Sequence, residues 1–394
     1  MRKRVVLAYS GGLDTSVAIP WLADQGWEVV AVAVDVGQPG DLGRAAARAG
    51  TLGAVESRVV DARDEYAERF VLPALHMNAL YGGRYPLVSA LSRPLISQVL
   101  VRVASETGAT AVAHGCTGKG NDQVRFEVAL GALAPELEVL APVRDWGMGR
   151  DDTIRYAHER DLPIETTSSS PYSIDENLWG RSIECGILED PWAAPPEDVF
   201  ELTKMGDSAP AERDVEVTFD AGVPVALDGE TLSPASLVEA MGKLAGSFGF
   251  GRVDTIEDRL VGIKSREVYE APAALALIAA HSDLESLTLE PRFAREKRRV
   301  EDVWADLVYE GLWFSPLRSA LDAFAGSCSN VVSGTVRLRF GPGSCTVTGR
   351  SSDESLYDFG LATYDEGDAF RHDAAAGFIE LWGLPTKQWS KTHG

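Results

Sequence analysis

The stretch VVLAYSGGLDTSVAIPWLADQG, residues 5–26, decides how the rest of the chain is read. Val5 to Tyr9 is short, apolar and β-branched at its start, which reads as a buried strand. Thr15 to Gln25 carries Val17, Ile19, Trp21 and Leu22 in a rough helical stripe, although Pro20 removes a backbone donor inside it. Between them lies Ser10-Gly11-Gly12-Leu13-Asp14. Two glycines at a strand-to-helix junction can be a tight turn and nothing more. They also let backbone N–H groups approach a ligand closely, and a helix N-terminus offers unsatisfied donors to an anion. Neither common phosphate motif is present. A Walker loop needs Lys-Ser/Thr after its second glycine, and a dinucleotide fingerprint needs G-x-G-x-x-G. Thr117-Gly118-Lys119-Gly120 lacks the hydroxyl residue after its lysine.

Working outward, 394 residues suffice for two domains and a large core, and 45% apolar with 24% charged residues is ordinary for a globular protein. A formal charge of −22 works against general nucleic-acid binding, which shows a basic face. No run approaches the roughly 18 apolar residues of a membrane span, and the basic start meets glycine too soon for a signal peptide. Cys116, Cys185, Cys328 and Cys345 form no C-x-x-C pair or zinc spacing, which fits a reducing cytosol. Cys116 reads as a small core thiol rather than a nucleophile.

Strand-like runs recur at Val5–Tyr9, Val29–Val34, Val55–Val60, Thr110–Ala113 and Leu137–Ala141, separated by helical stretches such as Asp64–Ala79 and Pro94–Glu106. This alternation predicts a parallel α/β sheet with ligands at the carboxyl ends of its strands. The Ser10–Asp14 turn and the loop HGCTGKGNDQVRFE, His114–Glu127, then open onto one crevice. After about Pro163 the polar connector ETTSSSPYS, residues 165–173, leads into a mixed pattern. Hairpins are expected around Asp220-Ala221-Gly222 and Gly341-Pro342-Gly343, and a helix starts at Ser233-Pro234. The tail from Asp368 reads as an amphipathic helix broken near Pro385, with Phe370, Phe378, Ile379, Leu381, Trp382 and Trp389 as a packing arm.

AYSGGLDTS resembles the pyrophosphatase loop of the N-type ATP pyrophosphatases, the PP-loop superfamily. With HGCTGKGNDQVRFE, SPYSIDENLWGRSIECGILEDPW and IEDRLVGIKSREVYEAP, the chain closely resembles the argininosuccinate synthase family over essentially its whole length. The resemblance implies an α/β PP-loop nucleotide-binding domain over 1–165, an α+β synthetase domain over 166–366 and a C-terminal oligomerisation arm over 367–394. It implies ATP with Mg²⁺, L-citrulline and L-aspartate as substrates, no prosthetic group, no nucleic-acid or membrane partner, a cytoplasmic homotetramer, and no residue assigned as a metal ligand.

Position by position, the resemblance gives ATP contacts at Ala8, Tyr9, Ser10, Gly11, Gly12, Leu13, Asp14, Thr15 and Ser16, with Gly115, and with Val34 beside the adenine where alanine is common. Aspartate contacts fall on Thr117, Asn121 and Asp122. Citrulline contacts fall on Tyr85, Asn121 and Arg125, then on Ser173, Ser182, Glu257 and Tyr269, so that citrulline bridges the domains. Asp14, Asp122 and Arg125 are the expected catalytic residues. The family often reads Thr-Ser-Leu-Ala-Arg-Pro after the citrulline tyrosine, whereas Ser89-Ala90-Leu91-Ser92-Arg93-Pro94 stands here. Either a hydroxyl contact is missing or Ser89 or Ser92 replaces it.

Each position also has a plainer reading. Ser173 would cap a helix over IDENLWG, with Glu176 completing a capping box. Tyr269 and Glu257 would be solvated surface groups, Arg125 an ion-pair donor, and His114 structural. A tRNA-modifying pyrophosphatase would share the first loop but needs a basic RNA face. A non-catalytic nucleotide-binding module leaves the polar motifs of the second half unused.

Overall fold

The computed structural model describes residues 3–163, 171–205, 211–365 and 367–394; residues 165–170 of the expected connector and the arm boundary at Glu366 lie outside them. The opening run forms β1 (Lys3–Ala8), in which Val5, Val6 and Leu7 are wholly buried, as a central parallel strand covered on both faces must be. It is followed by α1 (Leu13–Asp24), β2 (Trp27–Asp35), α2 (Leu42–Thr51) and β3 (Glu56–Asp61). A helical run then passes through α3 (Arg63–Tyr66), a π-turn (Ala67–Val71) and α4 (Leu72–His76) towards α5 (Val88–Thr107). β4 (Ala111–Ala113), α6 (Asn121–Leu133), β5 (Glu138–Leu140), α7 (Pro142–Asp145) and α8 (Arg150–Glu159) complete this half.

The five strands pair in the order β3-β2-β1-β4-β5, all parallel. The winding direction reverses between β1 and β4, and ligands of open α/β sheets sit outside the strand ends at such a switch point. That topology sets the Ser10–Asp14 turn beside the 114–121 loop. Two helices differ from expectation. α5 begins at Val88 and runs through Pro94; Leu91, Leu95, Val99 and Leu100 are wholly buried, so packing sustains the helix across the donor that proline lacks. The helix expected over Asp64–Ala79 is a composite with a π-turn, where Phe70 stacks on Trp313 at 4.7 Å.

The second half opens with the hairpin β6 (Ser173–Asn177) and β7 (Gly180–Glu184), then β8 (Arg213–Asp220), β9 (Val223–Leu227), β10 (Glu230–Thr231) and α9 (Pro234–Ser247). β11 (Arg252–Asp258) and β12 (Lys264–Glu270) precede α10 (Pro272–Thr288), α11 (Pro291–Tyr309) and α12 (Pro316–Ser329). β13 (Gly334–Gly341), β14 (Ser344–Ser351) and α13 (Phe359–Ala362) lead to the tail, α14 (His372–Trp382) and α15 (Leu384–His393). Both expected hairpins form, β8/β9 turning on left-handed Ala221 and Gly222. Ser233 caps α9 as expected, accepting from the Ser236 N–H. The capping role for Ser173 does not hold, because Ser173–Asn177 is a strand paired antiparallel with β7. The turn at Leu178-Trp179, which joins the two strands, is anchored to the first half.

That anchor fixes the two halves. Leu178 N–H donates to Val36 O at 2.8 Å, the buried Trp179 Nε1 donates to Pro86 O at 2.8 Å, and Asn177 Nδ2 donates to Val88 O at 2.8 Å. Gly37, at φ +93°, lies against Leu178, and a Cβ there would sit 2.9 Å from Leu178 N. The sheet β11-β12-β7-β6 thereby faces the carboxyl ends of β1, β2 and β4. The tail breaks at Gly383, just before Pro385, and no residue of α14 or α15 is buried.

Candidate active site

A cavity of about 600 Å³ lies between the parallel sheet's carboxyl edge and the four-stranded sheet. At the end beside β1, Gly11 adopts φ +78°, and Arg48 of α2 holds the Gly11 carbonyl. The N-cap of α1 is Gly12, which has no side chain to cap the first turn. Ser10 Oγ accepts from Gly12 N–H at 3.3 Å and lies 3.1 Å from Thr15 Oγ1. Ala8, Tyr9, Ser10, Asp14, Thr15, Val34 and Gly115 line the cavity. Gly11, Gly12 and Leu13 frame the turn without lining it. Ser16 lies wholly buried beneath, its hydroxyl 3.2 Å from the Tyr9 hydroxyl. Gly115 is where the two loops touch, since a Cβ there would come within 2.7 Å of Thr15 Cγ2.

The second loop starts α6 at Asn121, and Thr117, Asn121, Asp122 and Arg125 all line the same space. Asn121 Oδ1 accepts from Leu260 N–H at 2.9 Å, tying the loop to the β11–β12 turn. Arg125 donates from Nε to Tyr309 O at 3.0 Å and from Nη1 to Asp122 Oδ1 at 2.9 Å. It is therefore an ion-pair donor as well as a cavity residue. Burial pushes the Asp122 carboxyl up, but Arg93 and Arg125 outweigh it and draw the pKa down to about 2. His114 is buried, its Nε2 3.3 Å from Glu127, and burial holds its pKa below the usual histidine value. Burial also pushes the thiol of the cavity-lining Cys116 up, which disfavours its thiolate.

Facing these loops, the four-stranded sheet contributes Ser173, Ser182, Glu257 and Tyr269. The surface reading of the last two fails, for both are buried and Tyr269 donates its hydroxyl to Glu257 at 2.6 Å. Tyr85 stacks on Tyr269 with ring centroids 4.2 Å apart and accepts from Ser89 N–H at 3.0 Å. Burial raises the pKa of Tyr85, Tyr269 and Glu257 alike. Of the candidates for the displaced hydroxyl, Ser89 lines the cavity, whereas Ala90 and Ser92 are buried outside it and Ser92 bonds back to Ser89 O at 3.0 Å.

Several lining residues escaped the sequence reading: Gln38, Arg93, Asp175, Glu184, Arg259 and Glu267. The strand period held a signal for three of them. Side chains two apart share a face, so Ser173 implies Asp175, Ser182 implies Glu184 and Tyr269 implies Glu267. Arg259 donates to Glu184 at 2.7 Å and to Glu267 at 2.8 Å. Burial, with Glu267 alongside, lifts Glu184 to about 6 despite that guanidinium.

The family model described as arginosuccinate synthase N-terminal HUP domain matches residues 4–163, and that of the arginosuccinate synthase C-terminal domain matches residues 172–389. The argininosuccinate synthase of Halalkalibacterium halodurans is 57% identical over 390 residues, covering 99% of this chain and 95% of its own length. That of Brevibacillus brevis is 56% identical over 394 residues, covering 100% of this chain and 94% of its own. That of Listeria monocytogenes is 55% identical over 387 residues, covering 98% and 96%.

Proposed function

This chain belongs to the argininosuccinate synthase family, and on that premise we propose how its cavity carries out the reaction. The protein is an ATP-dependent ligase that joins citrulline to aspartate, giving argininosuccinate for arginine biosynthesis. The ureido oxygen of citrulline attacks the α-phosphorus of ATP and pyrophosphate leaves. The ammonium of aspartate gives a proton to a phosphate oxygen of the citrullyl-adenylate, the amine so formed attacks the ureido carbon, and AMP leaves with that proton. A ureido carbon is a poor electrophile, so adenylation supplies the leaving group. The protein's task is to position three substrates and stabilise charge.

Nucleotide phosphates lie against the Ser10–Ser16 turn, at the N-terminus of α1 where the cap is a glycine and the hydroxyls of Ser10 and Thr15 offer donors. The hard oxygens of Asp14, Ser10 and Thr15 on that wall would suit a magnesium ion bound with ATP, which would neutralise phosphate charge there. Ala8, Val34 and Gly115 border the nucleoside. Thr117, Asn121 and the ionised Asp122 receive aspartate, an anionic carboxylate being the natural partner of its ammonium. Citrulline lies between Tyr85, Arg125, Ser173, Ser182, Glu257 and Tyr269. Arg125 Nη2 makes no hydrogen bond to any described residue and offers a donor to the citrulline carboxylate. The observation that carries this reading is one cavity gathering the glycine turn, the second loop and the four-stranded sheet face.

The working unit is a cytoplasmic homotetramer. Its organisation is a nucleotide-binding domain over 1–165, a synthetase domain over 166–366 and an arm over 367–394. The arm supports this, since Ile379, Leu381, Trp382 and Trp389 are each 67–73% exposed, and such a patch marks an interface. No helix among the described residues is long and apolar enough to cross a membrane. The test is incubation with α-labelled ATP, with and without each amino acid. AMP that forms only when citrulline and aspartate are both present is expected; AMP without them, or none at all, overturns the reading.

A further inference from the structure

Arg93 stands in the first half of the chain, on α5, with its guanidinium 5.9 Å from the Phe126 ring. Nε and Nη2 donate to Asp122 Oδ2 at 3.0 and 2.7 Å, Nη2 also donates to Asp175 Oδ2 at 2.8 Å, and Nη1 donates to Ser92 Oγ at 3.1 Å. All three nitrogens are thus engaged by protein. Arg125 differs, because its Nη2 has no partner among the described residues. Asp122 belongs to α6 and Asp175 to β6, so a single guanidinium joins three elements from both halves. Among the described residues, Arg93 is the sole ion-pair partner of Asp175.

We propose that Arg93 is a positioning residue for the second half of the reaction, holding Asp122 in place for aspartate by bridging it to Asp175 across the domain boundary. The proposal rests on the assignment of Asp122 to aspartate. Without Arg93, Asp175 loses its counter-charge, Asp122 keeps Arg125 alone, and two carboxylates that shared one cation repel each other. Lysine cannot take over fully. A guanidinium is a rigid planar fork that meets two carboxylates at fixed angles, whereas an ammonium is a point charge on a flexible stem. Arg93 touches no reacting atom in this arrangement and acts through Asp122.

Two assays on the full-length protein separate this from a merely structural role. Citrulline-dependent exchange of labelled pyrophosphate into ATP reads adenylation alone, and AMP formation with aspartate reads both steps. For Arg93→Ala the Michaelis constant for aspartate should rise by about ten- to a hundredfold, the range for losing a charge-assisted bond, with exchange falling at least tenfold less than turnover. Arg93→Lys should recover part of the loss. Adding Asp175→Asn to Arg93→Ala should also recover part of it, because the repelling carboxylate is gone. Equal loss in both assays, an unchanged aspartate constant, or effects of Arg93→Ala and Asp175→Asn that simply multiply would each overturn the proposal. Should Arg93→Ala not fold, Arg93→Lys and Asp175→Asn carry the same test: each must raise the aspartate constant more than it slows exchange, and no difference overturns the bridge. Absence of exchange in the unaltered protein would instead overturn the reaction assignment itself.

Discussion

At Gly11 a side chain meets two obstacles at once. The residue sits at φ +78°, and a Cβ would lie 3.0 Å from Arg48 Nη2 and 3.1 Å from Ala45 Cβ. Gly11→Val should lower turnover by about a hundredfold or more, the scale of losing preorganised donors to a transferring group, while aspartate affinity changes less. Near-normal steady-state turnover would show that the loop is only a turn. On the proposed assignment, the second loop divides its labour between substrates. Arg125→Ala should raise the Michaelis constant for citrulline by about one to two decades, as expected for a lost charge-assisted bond. Thr117→Ala should act on aspartate alone, by about three- to tenfold for a neutral hydroxyl. Initial-rate kinetics with each amino acid varied in turn checks both, and parallel effects on the two substrates would mean collapse of the loop. Thr117 and Arg125 could be placed beside the cavity from the chain because their motif is contiguous. Arg93 could not, for its partners lie 29 and 82 positions away.

Between elements, the packing of α4 against α10 predicts a pH effect remote from the cavity. His76 of α4 faces His281 of α10 with ring centroids 6.0 Å apart, and Lys297 of α11 lies buried nearby, paired with Glu285 and Glu301. Burial, reinforced by the Lys297 charge, pushes His76 down to about 4. An unfolded histidine titrates near 6.5, so the unfolded chain takes up the proton first as pH falls. Stability that is complete above about pH 6.5 should drain away towards pH 4, by up to about 3 kcal/mol from this residue. Denaturant melts of the unaltered protein and His76→Gln at pH 7 and pH 4.5 check it. The variant should lose less stability between the two, and identical losses would mean that His76 is already protonated in the fold. Nothing in the sequence around His76 signals this, since its environment comes from helices some two hundred residues further on.

For the whole molecule, the arm is the element whose burial the single chain does not provide. Phe378 and Trp382 stack on each other at 5.5 Å yet remain 60% and 73% exposed. Removing residues 367–394 should convert the proposed tetramer into monomers or dimers that still bind ATP, read by light scattering and nucleotide titration. A truncated protein of unchanged mass would exclude the arm from assembly. The parallel sheet needs no such partner, because helices cover both its faces within one chain.

Local pattern determined much of this protein. The buried run at Val5–Leu7, the alternation of strand and helix, the glycine turn and both later hairpins follow from periodicity and turn chemistry, which act over a few residues. Ser173 shows where that reach ends: a serine with glutamate three residues on reads as a helix cap, and only pairing with β7 made it a strand facing the cavity. Glu257 and Tyr269 read as surface groups until β11 and β12 turned them inward against Tyr85. Tertiary structure alone decided which charges share a guanidinium, because Arg93, Asp122 and Asp175 meet only once the switch point between β1 and β4 has set the two loops under the second sheet. Side-chain type and spacing specify short-range geometry, whereas ion pairing depends on distances of a few ångströms between segments far apart in the chain.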